Sequence, residues 1–231
     1  MNFETWEPVY EAILAEFGYD RAGDVRARDT LFELVGERET LDVETIGAGG
    51  ATVAVAGAGP SLEAELDAIG SADLVFAAST AADRLREVGV TPDCVVTDLD
   101  KHPASVPSLS RDGVPVAVHA HGDNVPTVRE VVPAIDTRRL FATTQAAPRP
   151  PVANVGGFTD GDRGAFLADH LGAARLRFPG WDFEDPSLGP EKRRKLAWAE
   201  RLLHWLERRR GERFPVLDGR RADIDTAPLP V

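Results

Sequence analysis

The chain has 231 residues, 43% of them hydrophobic, and its 38 acidic and 26 basic side chains give a formal net charge of −12. It contains no run of about 18 apolar residues, so no membrane-spanning helix is predicted, and its acidic N-terminus is unlike a secretory signal. The single cysteine, Cys94, excludes an internal disulfide and a zinc site made of thiolates, and the acidic balance argues against a general nucleic-acid binder. We therefore expect a cytoplasmic protein with no nucleic-acid or membrane partner.

The basic residues are almost all arginine, and Lys101, Lys192 and Lys195 are the only lysines. Such an acidic, lysine-poor composition is typical of halophilic hosts, where salt screens the repulsion between carboxylates. The same charge makes an anionic substrate hard to hold without a metal ion or a local concentration of N–H donors.

Helical spacing dominates the first 45 residues. Apolar side chains recur there every three or four residues, over Trp6, Val9, Tyr10, Ile13, Leu14 and Phe17 and then at Leu31, Phe32 and Val35. We predict a helical N-terminal segment over residues 1–45 and an α/β catalytic domain over residues 46–231.

Strands and helices alternate from residue 50 onward. Apolar runs predict strands at 51–56, 73–79, 93–98, 114–120, 138–145, 152–158, 175–181 and 213–219. Helices are predicted at 61–70, 81–89, 125–133, 161–173 and 191–210, a short helix or irregular crossover at 104–113, and a proline-rich linker or lid at 145–153. This alternation predicts a Rossmann-like α/β fold, in which a mostly parallel sheet carries helices on both faces.

Ligands of such sheets bind beyond the carboxyl ends of the strands. Four polar or glycine-rich loops fall at these ends, at 57–61, 98–101, 119–124 and 156–163. We expect them to share one rim of the sheet and to form the functional site.

The first rim loop is GAGPS, with Gly57, Gly59, Pro60 and Ser61 between a strand and a helix. Free backbone N–H groups at such a junction bind phosphate, and Ser61 is a further donor. The loop is not a dinucleotide fingerprint, because Leu62 stands where the third glycine belongs. The alternative is a tight strand–helix turn without a ligand.

The second rim loop is TDLDK. In an extended chain Asp98 and Asp100 lie on the same face, where two carboxylates can share a Mg²⁺ ion that also binds substrate phosphates. The cation of Lys101 suits a metal–phosphate complex. In the alternative, Asp98 ends the strand and Asp100 caps the helix that follows Pro103.

The third rim loop is HAHGDN. His119 and His121 alone are too few for a zinc site, so we expect Asp123 to join a magnesium site while His121 or Asn124 contacts the substrate. The alternative is a polar turn.

The fourth rim loop is GGFTDGDRGAF, which opens a predicted helix. We expect Asp160 or Asp162 to be the N-cap of this helix, but two acids together with Thr159 and Arg163 exceed what a helix cap requires. Such acids are useful beside a cation, or as acceptors for the ring N–H of a heterocycle.

These loops, in this order, resemble the archaeal 6-hydroxymethyl-7,8-dihydropterin pyrophosphokinases, relatives of the thiamine pyrophosphokinases. The resemblance runs from about residue 46 to 180 and rests on VAGAGPSL, TPDCVVTDLDKHP, HAHGDN and GGFTDGDRGAFLADHLGA. It implies Mg²⁺-dependent transfer of a diphosphate from ATP to the reduced hydroxymethylpterin, with release of AMP. The thiamine enzymes have a β-rich C-terminal domain, whereas this chain has a long predicted helix there.

The resemblance also implies roles for the rim residues. Asp98, Asp100 and Asp123 would hold Mg²⁺, and Asp100 or Asp123 would accept the hydroxyl proton. ATP phosphates would be bound by Gly57, Gly59, Pro60, Ser61, Lys101 and Thr159, and the nucleotide or pterin by His121, Asn124, Asp160 and Asp162. The relatives suggest a homodimer, and the acidic composition favours folate over methanopterin synthesis.

Two other functions fit the same residues. A metal-dependent glycosyltransferase also uses a DxD motif and releases a nucleoside diphosphate. A non-catalytic nucleotide-binding module needs the glycine loop alone, without the clustered acids and histidines of the rim.

Overall fold

In residues 1–230, which the computed structural model describes, six strands form one sheet and every pairing is parallel. The strands are β1 (Thr52–Ala56), β2 (Leu74–Ala78), β3 (Cys94–Thr97), β4 (Val116–Ala120), β5 (Leu140–Thr144) and β6 (Arg175–Arg177). The α-helices are α1 (Phe3–Phe17), α2 (Arg21–Val35), α3 (Leu66–Gly70), α4 (Ala81–Glu87), α5 (Val106–Arg111), α6 (Val125–Val131), α7 (Asp160–His170) and α8 (Pro190–Arg210). The predicted α/β class and parallel sheet are confirmed.

The strand order is β5-β4-β3-β2-β1-β6. The chain steps from β1 to β5 in one direction and then returns through α7 to place β6 on the other side of β1. Helix α7 crosses the sheet against β1, β2 and β3. The sheet therefore reverses its strand order at β1, which is where ligands bind in folds of this type.

Alternation along the strands sorts side chains between the two faces of the sheet. In β3, Cys94 and Val96 pack with α1, α7 and α8, whereas Val95 packs with α2 and with α3 to α6. On the first face Trp6 of α1 stacks on Trp205 of α8, with ring centroids 6.4 Å apart. Both faces are covered, which explains why the strands read as apolar runs and not as alternating patterns.

The N-terminal helices α1 and α2 form as predicted and supply core residues to opposite faces of the sheet. Tyr10 and Ile13 of α1 lie in the cluster with α7 and α8, and Ala27 and Leu31 of α2 lie in the cluster with β4 and β5. The division of the chain into residues 1–45 and 46–231 stays a prediction.

Two predicted strands are wrong. Residues 152–158 do not form a strand; their backbone makes isolated bridges, one of them from Ala153 to Thr143 of β5. Gly156 and Gly157, with φ of 89° and 96°, then turn the chain away. Residues 213–219 contain the 3-10 helix Pro215–Leu217, because the buried Phe214 and Leu217 are three residues apart, a spacing that suits a tight helical turn.

Two further segments differ from their predictions. The predicted helix at 61–70 is divided into a 3-10 helix, Leu62–Glu65, and the short α3. The predicted linker or lid at 145–153 folds back beside β5, where the Ala153 N–H donates to the Ala142 carbonyl at 2.9 Å. None of the helices within residues 1–230 combines the length and apolar content that crossing a membrane takes.

Candidate functional site

A cleft of about 510 Å³ opens at the carboxyl ends of the strands. The four predicted rim loops meet there, together with the start of α2, residues 180–188 and the first turns of α8. Of the predicted site residues, the lining includes Gly57, Gly59, Asp98, Asp100, Lys101, His121, Asp123, Thr159 and Asp160. Pro60, Ser61, Asn124 and Asp162 do not belong to that lining.

The two carboxylates of TDLD converge through a turn and not, as predicted, through an extended chain. Strand β3 ends at Thr97, and the buried Leu99 then adopts a left-handed conformation with φ of 66°. The Asp98 carboxylate accepts the Asp100 N–H at 3.1 Å, and the Thr97 hydroxyl accepts the Leu99 N–H at 2.9 Å. A leucine in this region is strained, and such strain is held where surrounding structure requires it.

The alternative role of Asp100 as a helix cap is wrong. The next helical turn is the 3-10 helix Pro103–Ser105, and its N-cap residue is His102, which makes no side-chain cap bond. The His102 ring instead lies 2.7 Å from the Asp83 carboxylate. The Asp100 side chain is therefore directed to the cleft.

Asp98, Asp100 and His121 offer ligand atoms that all lie within 4.8 Å of one another. Asp123, the predicted third metal ligand, lines the same cleft but is outside this group. Two carboxylate oxygens at this separation fit Mg²⁺, which takes one or two protein carboxylates and completes its shell with water and phosphate. The His121 imidazole lies 3.7 Å from the Asp98 carboxylate and orients it.

Neighbouring charges set the ionisation of these acids. Burial alone raises the pKa of Asp98, but His121 and Arg163 outweigh it and hold that pKa well below its ordinary value. Partial removal from water, followed by the negative charge of Asp98, raises the pKa of Asp100 although part of its side chain is exposed. Asp98 is therefore the acid that loses its proton more readily, and a cation bound between the two would favour the ionised form of Asp100.

Arg163 of α7 lies beside the group formed by Asp98, Asp100 and His121. Its guanidinium is buried and lies 3.0 Å from the Asp160 carboxylate and 3.8 Å from that of Asp98. Burial, followed by the charge of Asp98, raises the pKa of Asp160. This arrangement gives the cleft an acid that retains its proton more readily than an exposed aspartate.

Asn124 and His119 stand behind the cleft. The Asn124 amide donates to the carbonyls of Asp98 and His119, each at 2.7 Å, and accepts the His121 N–H at 3.0 Å. The amide has thus used both of its N–H donors on the backbone, so the structure places Asn124 as a brace between the ends of β3 and β4 and not against a ligand. His119 is 2% exposed and bonds Thr143, so it does not join His121 at the metal group.

Asp162 and Thr159 form the cap of α7. The Asp162 carboxylate accepts the Thr159 N–H at 3.0 Å and the Thr159 hydroxyl at 2.6 Å, and it also accepts the Phe158 N–H. This is a reciprocal capping box, and Asp162 is fully buried in it. Asp160 alone of the two predicted acids reaches the cleft.

The glycine loop is already covered by another segment of the chain. We call Pro179–Asp182 the strap; its carbonyls accept the N–H groups of Gly57 at 2.9 Å and Gly59 at 2.8 Å. Asp182 accepts both the N–H and the hydroxyl of Ser61 at 2.9 Å. A Cβ atom on Gly59 would lie 2.6 Å from the Gly180 carbonyl oxygen, so these glycines permit close packing of the strap.

Several residues of the cleft have no signal in the sequence. The buried Asp24 of α2 accepts the Gly122 N–H at 2.8 Å, the Tyr10 hydroxyl at 2.7 Å and the Gln145 amide at 2.9 Å, and so fixes the third rim loop. Sequence reasoning missed it because nothing near Asp24 departs from an ordinary amphipathic helix. The N-cap residue Asp20 marks where α2 begins, but nothing in the sequence places that helix start at the cleft.

Aromatic side chains enclose part of the cleft. Tyr19 and Phe158 have ring centroids 6.5 Å apart, and Trp181 and Phe183 have centroids 5.8 Å apart. The Trp181 indole donates to the Val55 carbonyl at 2.8 Å, which fixes the ring at the end of β1. Such surfaces suit a planar heterocycle.

A model of the MptE-like family, described as 6-hydroxymethylpterin diphosphokinase MptE-like, matches residues 31–187. The chain belongs to this family. Three curated proteins named 6-hydroxymethyl-7,8-dihydropterin pyrophosphokinase are similar over 90% of this chain. They are 39% identical (Methanothermobacter thermautotrophicus), 38% identical (Pyrococcus furiosus) and 31% identical (Methanocaldococcus jannaschii), and the similarity covers 96%, 95% and 96% of their lengths.

The part of the chain matched by the 6-hydroxymethylpterin diphosphokinase family contains all four rim loops and the strap. It ends before α8, so Lys192 and Lys195 lie beyond it although they line the same cleft. Asp24 lies before it. The cleft is therefore completed by both ends of the chain.

Proposed function

We propose that this chain transfers a diphosphate from ATP to the hydroxymethyl group of 6-hydroxymethyl-7,8-dihydropterin and releases AMP. The observation that carries the proposal is the convergence of Asp98, Asp100 and His121 in the cleft of a chain of this family. The names of its curated relatives support the same substrate.

The reaction demands position and charge more than covalent chemistry. The hydroxymethyl oxygen of the pterin bonds to the β-phosphorus of ATP, the bond from that phosphorus to the α–β bridging oxygen breaks, and AMP leaves with the oxygen. The hydroxyl proton passes to a carboxylate, for which we assign Asp123 because it lines the cleft outside the three-residue group.

Asp98 and Asp100 are the carboxylates that would hold Mg²⁺. When bound, the ion supplies charge neutralisation for the phosphates. The low pKa of Asp98 keeps this carboxylate ionised at any physiological pH, and the brace by Asn124 fixes the backbone that carries it. Tyr19, Phe158 and the Asp160 carboxyl offer an aromatic surface and an acceptor for the ring N–H of a heterocycle.

The deciding experiment incubates the protein with ATP, Mg²⁺ and reduced hydroxymethylpterin and separates the products. We expect AMP and pterin diphosphate in equal amounts, no product in excess EDTA, and recovery when Mg²⁺ is restored. Release of ADP, or unchanged ATP, would contradict the proposal. A nucleoside diphosphate released from a nucleotide sugar would favour the glycosyltransferase, and nucleotide binding without turnover the non-catalytic module.

Asp100→Asn tests the metal role. We expect kcat to fall by about 100-fold or more, because charge stabilisation at the reacting phosphate is lost. The melting temperature without ligands should stay within about 2 °C, since the side chain is exposed and caps no helix. Retained activity together with a large loss of stability would show a structural role instead.

The proposal extends to the setting of the enzyme. A homodimer in the cytoplasm, and use of the product for folate over methanopterin, follow from the resemblance and the acidic composition. Light scattering of the purified protein tests whether it is a homodimer. Growth of cells that lack the gene, with and without added folate, tests whether the product is used for folate synthesis.

A further inference from the structure

The three lysines of the chain all line the same cleft. Lys101 extends from the second rim loop, and Lys192 and Lys195 lie on the first two turns of α8. Arginine is by far the commoner base, yet within residues 1–230 only Arg26 and Arg163 reach this lining. A chain that uses arginine almost everywhere has kept its ammonium groups at one place.

The lysines differ in their contacts from the arginines at or beside the cleft, except for Arg26, whose contact with Asp20 at 3.5 Å is also loose. Arg163 is held by Asp160, and Arg84, beside the glycine loop, is held by Glu63 and by the Ala58 and Gly59 carbonyls. By contrast, Lys101 and Lys192 are exposed to the cleft, and Lys195 has a loose contact with Glu191 at 3.4 Å. A compact cation on a flexible stem is suited to phosphate oxygens that move during a reaction.

We infer that Lys101, Lys192 and Lys195 bind the β- and γ-phosphates of ATP, the diphosphate that is transferred. This inference rests on the proposed function. It replaces the predicted phosphate role of the glycine loop, because the N–H groups of Gly57, Gly59 and Ser61 already donate to the strap.

The position of the lysines agrees with this role. Lys101 adjoins Asp100 in the chain, and Lys192 and Lys195 line the same cleft as Asp98 and Asp100. The cations thus lie beside the carboxylates that would hold the metal. The lining also contains the acids Asp182 and Asp185, so without these cations the cleft would repel a polyphosphate.

Helix α8 therefore brings part of the substrate site to the sheet. Its first turns face the cleft through Lys192 and Lys195, and its later turns are buried against α1 and α7 through residues such as Trp205. The buried part fixes the height of the lysines above the rim. This explains how a segment outside the matched family range completes the cleft.

Calorimetric titration with α,β-methylene-ATP and Mg²⁺ tests the inference, because this analogue has all three phosphates and cannot be cleaved at the scissile bond. We expect Lys192→Gln and Lys195→Gln each to weaken binding several-fold, and the double variant by about tenfold or more. AMP, which lacks the β- and γ-phosphates, should bind the variants as it binds the unmodified protein. Arg193→Gln is the matched control: it removes one positive charge from the same turn of α8, at an exposed position outside the cleft lining.

The contrary results are distinct. Unchanged analogue affinity in the double variant would overturn the inference, as would an equal loss for AMP or for the Arg193→Gln control. Weaker analogue binding in Ser61→Ala, with the lysine variants unaffected, would return the phosphates to the glycine loop. If the unmodified protein forms no AMP from ATP and pterin while the lysines still control analogue binding, the proposed function fails and the phosphate site stands.

Discussion

At the scale of a single residue, the Asn124 side chain holds the ends of strands β3 and β4 together. Its amide makes three hydrogen bonds to backbone groups of Asp98, His119 and His121, and it is 1% exposed. We expect Asn124→Ala to lower the free energy of unfolding by about 1–3 kcal/mol, because buried backbone groups lose their partners. Urea denaturation measures the change.

Asp123→Ala provides the comparison for stability, since the neighbouring side chain is exposed. It should leave the urea midpoint nearly unchanged. Equal stability of Asn124→Ala and the unmodified protein would mean that water replaces the brace.

Cys94 gives a pH-dependent prediction. Burial raises the pKa of its thiol to about 12. In the unfolded chain the thiol ionises near pH 8.5. Between that pH and about 12 the thiol is ionised only in the unfolded chain, so the free energy of unfolding falls as the pH rises through this range. Between pH 8 and pH 10 the unmodified protein should lose about 2 kcal/mol more unfolding free energy than Cys94→Ala.

Denaturant titrations of both proteins at the two pH values measure this difference, and the lysines and tyrosines that also titrate are common to both. Equal losses would show that the thiol ionises freely in the folded protein.

At the scale of elements, the packing of the strap on the glycine loop is the feature most open to test. A Cβ atom at Gly59 would lie 2.6 Å from the Gly180 carbonyl oxygen, which is backbone and cannot easily move. We expect Gly59→Ala to destabilise the ligand-free protein by about 1–3 kcal/mol. Thermal and urea unfolding without nucleotide measure it.

Gly70→Ala is the matched control, because no atom lies within 4 Å of the added carbon and the residue ends the short helix α3. It should be neutral or slightly stabilising. If Gly59→Ala leaves stability intact and weakens only nucleotide binding, the loop is a phosphate site and the strap is not fixed on it.

Predicted elements formed where neighbouring residues determine the backbone conformation, and they did not form where a contact with a distant segment determines it. The runs that became β1 to β5 are largely apolar, and each pairs with a neighbour of the same kind. Residues 152–158 have a similar composition, but Gly156 and Gly157 have positive φ, and the α7 backbone approaches Gly157 so closely that a Cβ atom there would lie 2.6 Å from the Arg163 Cα. No local pattern in the sequence records that approach.

At the scale of the whole molecule, the net charge of −12 opposes the folded state through self-repulsion. We expect the melting temperature to rise as KCl increases from about 0.01 to 0.3 M, a range in which the screening length falls from about 30 Å to less than 8 Å. Specific-ion effects are small in this range, so KCl and NaCl should agree. A melting temperature that is flat or falling would mean that the acids are already compensated by pairs such as Arg210 with Asp169.

The sequence by itself determined the class of the fold, the parallel sheet and the four loops at its rim. These follow from periodicity and from the rule that parallel strands end at one edge, which are local properties of the chain. It also indicated Asp98 and Asp100 as a pair, although through the wrong local geometry.

Only the tertiary structure decided which of the rim residues face the cleft and which support it. It placed Asn124 and Asp162 behind the cleft, put His121 beside Asp98 and Asp100, and closed the glycine loop with a strap from about 120 residues further along the chain. It also brought Lys192 and Lys195 to the same cleft as Lys101. Contacts between residues so distant in sequence depend on how whole layers pack, and no neighbouring residue carries a sign of them.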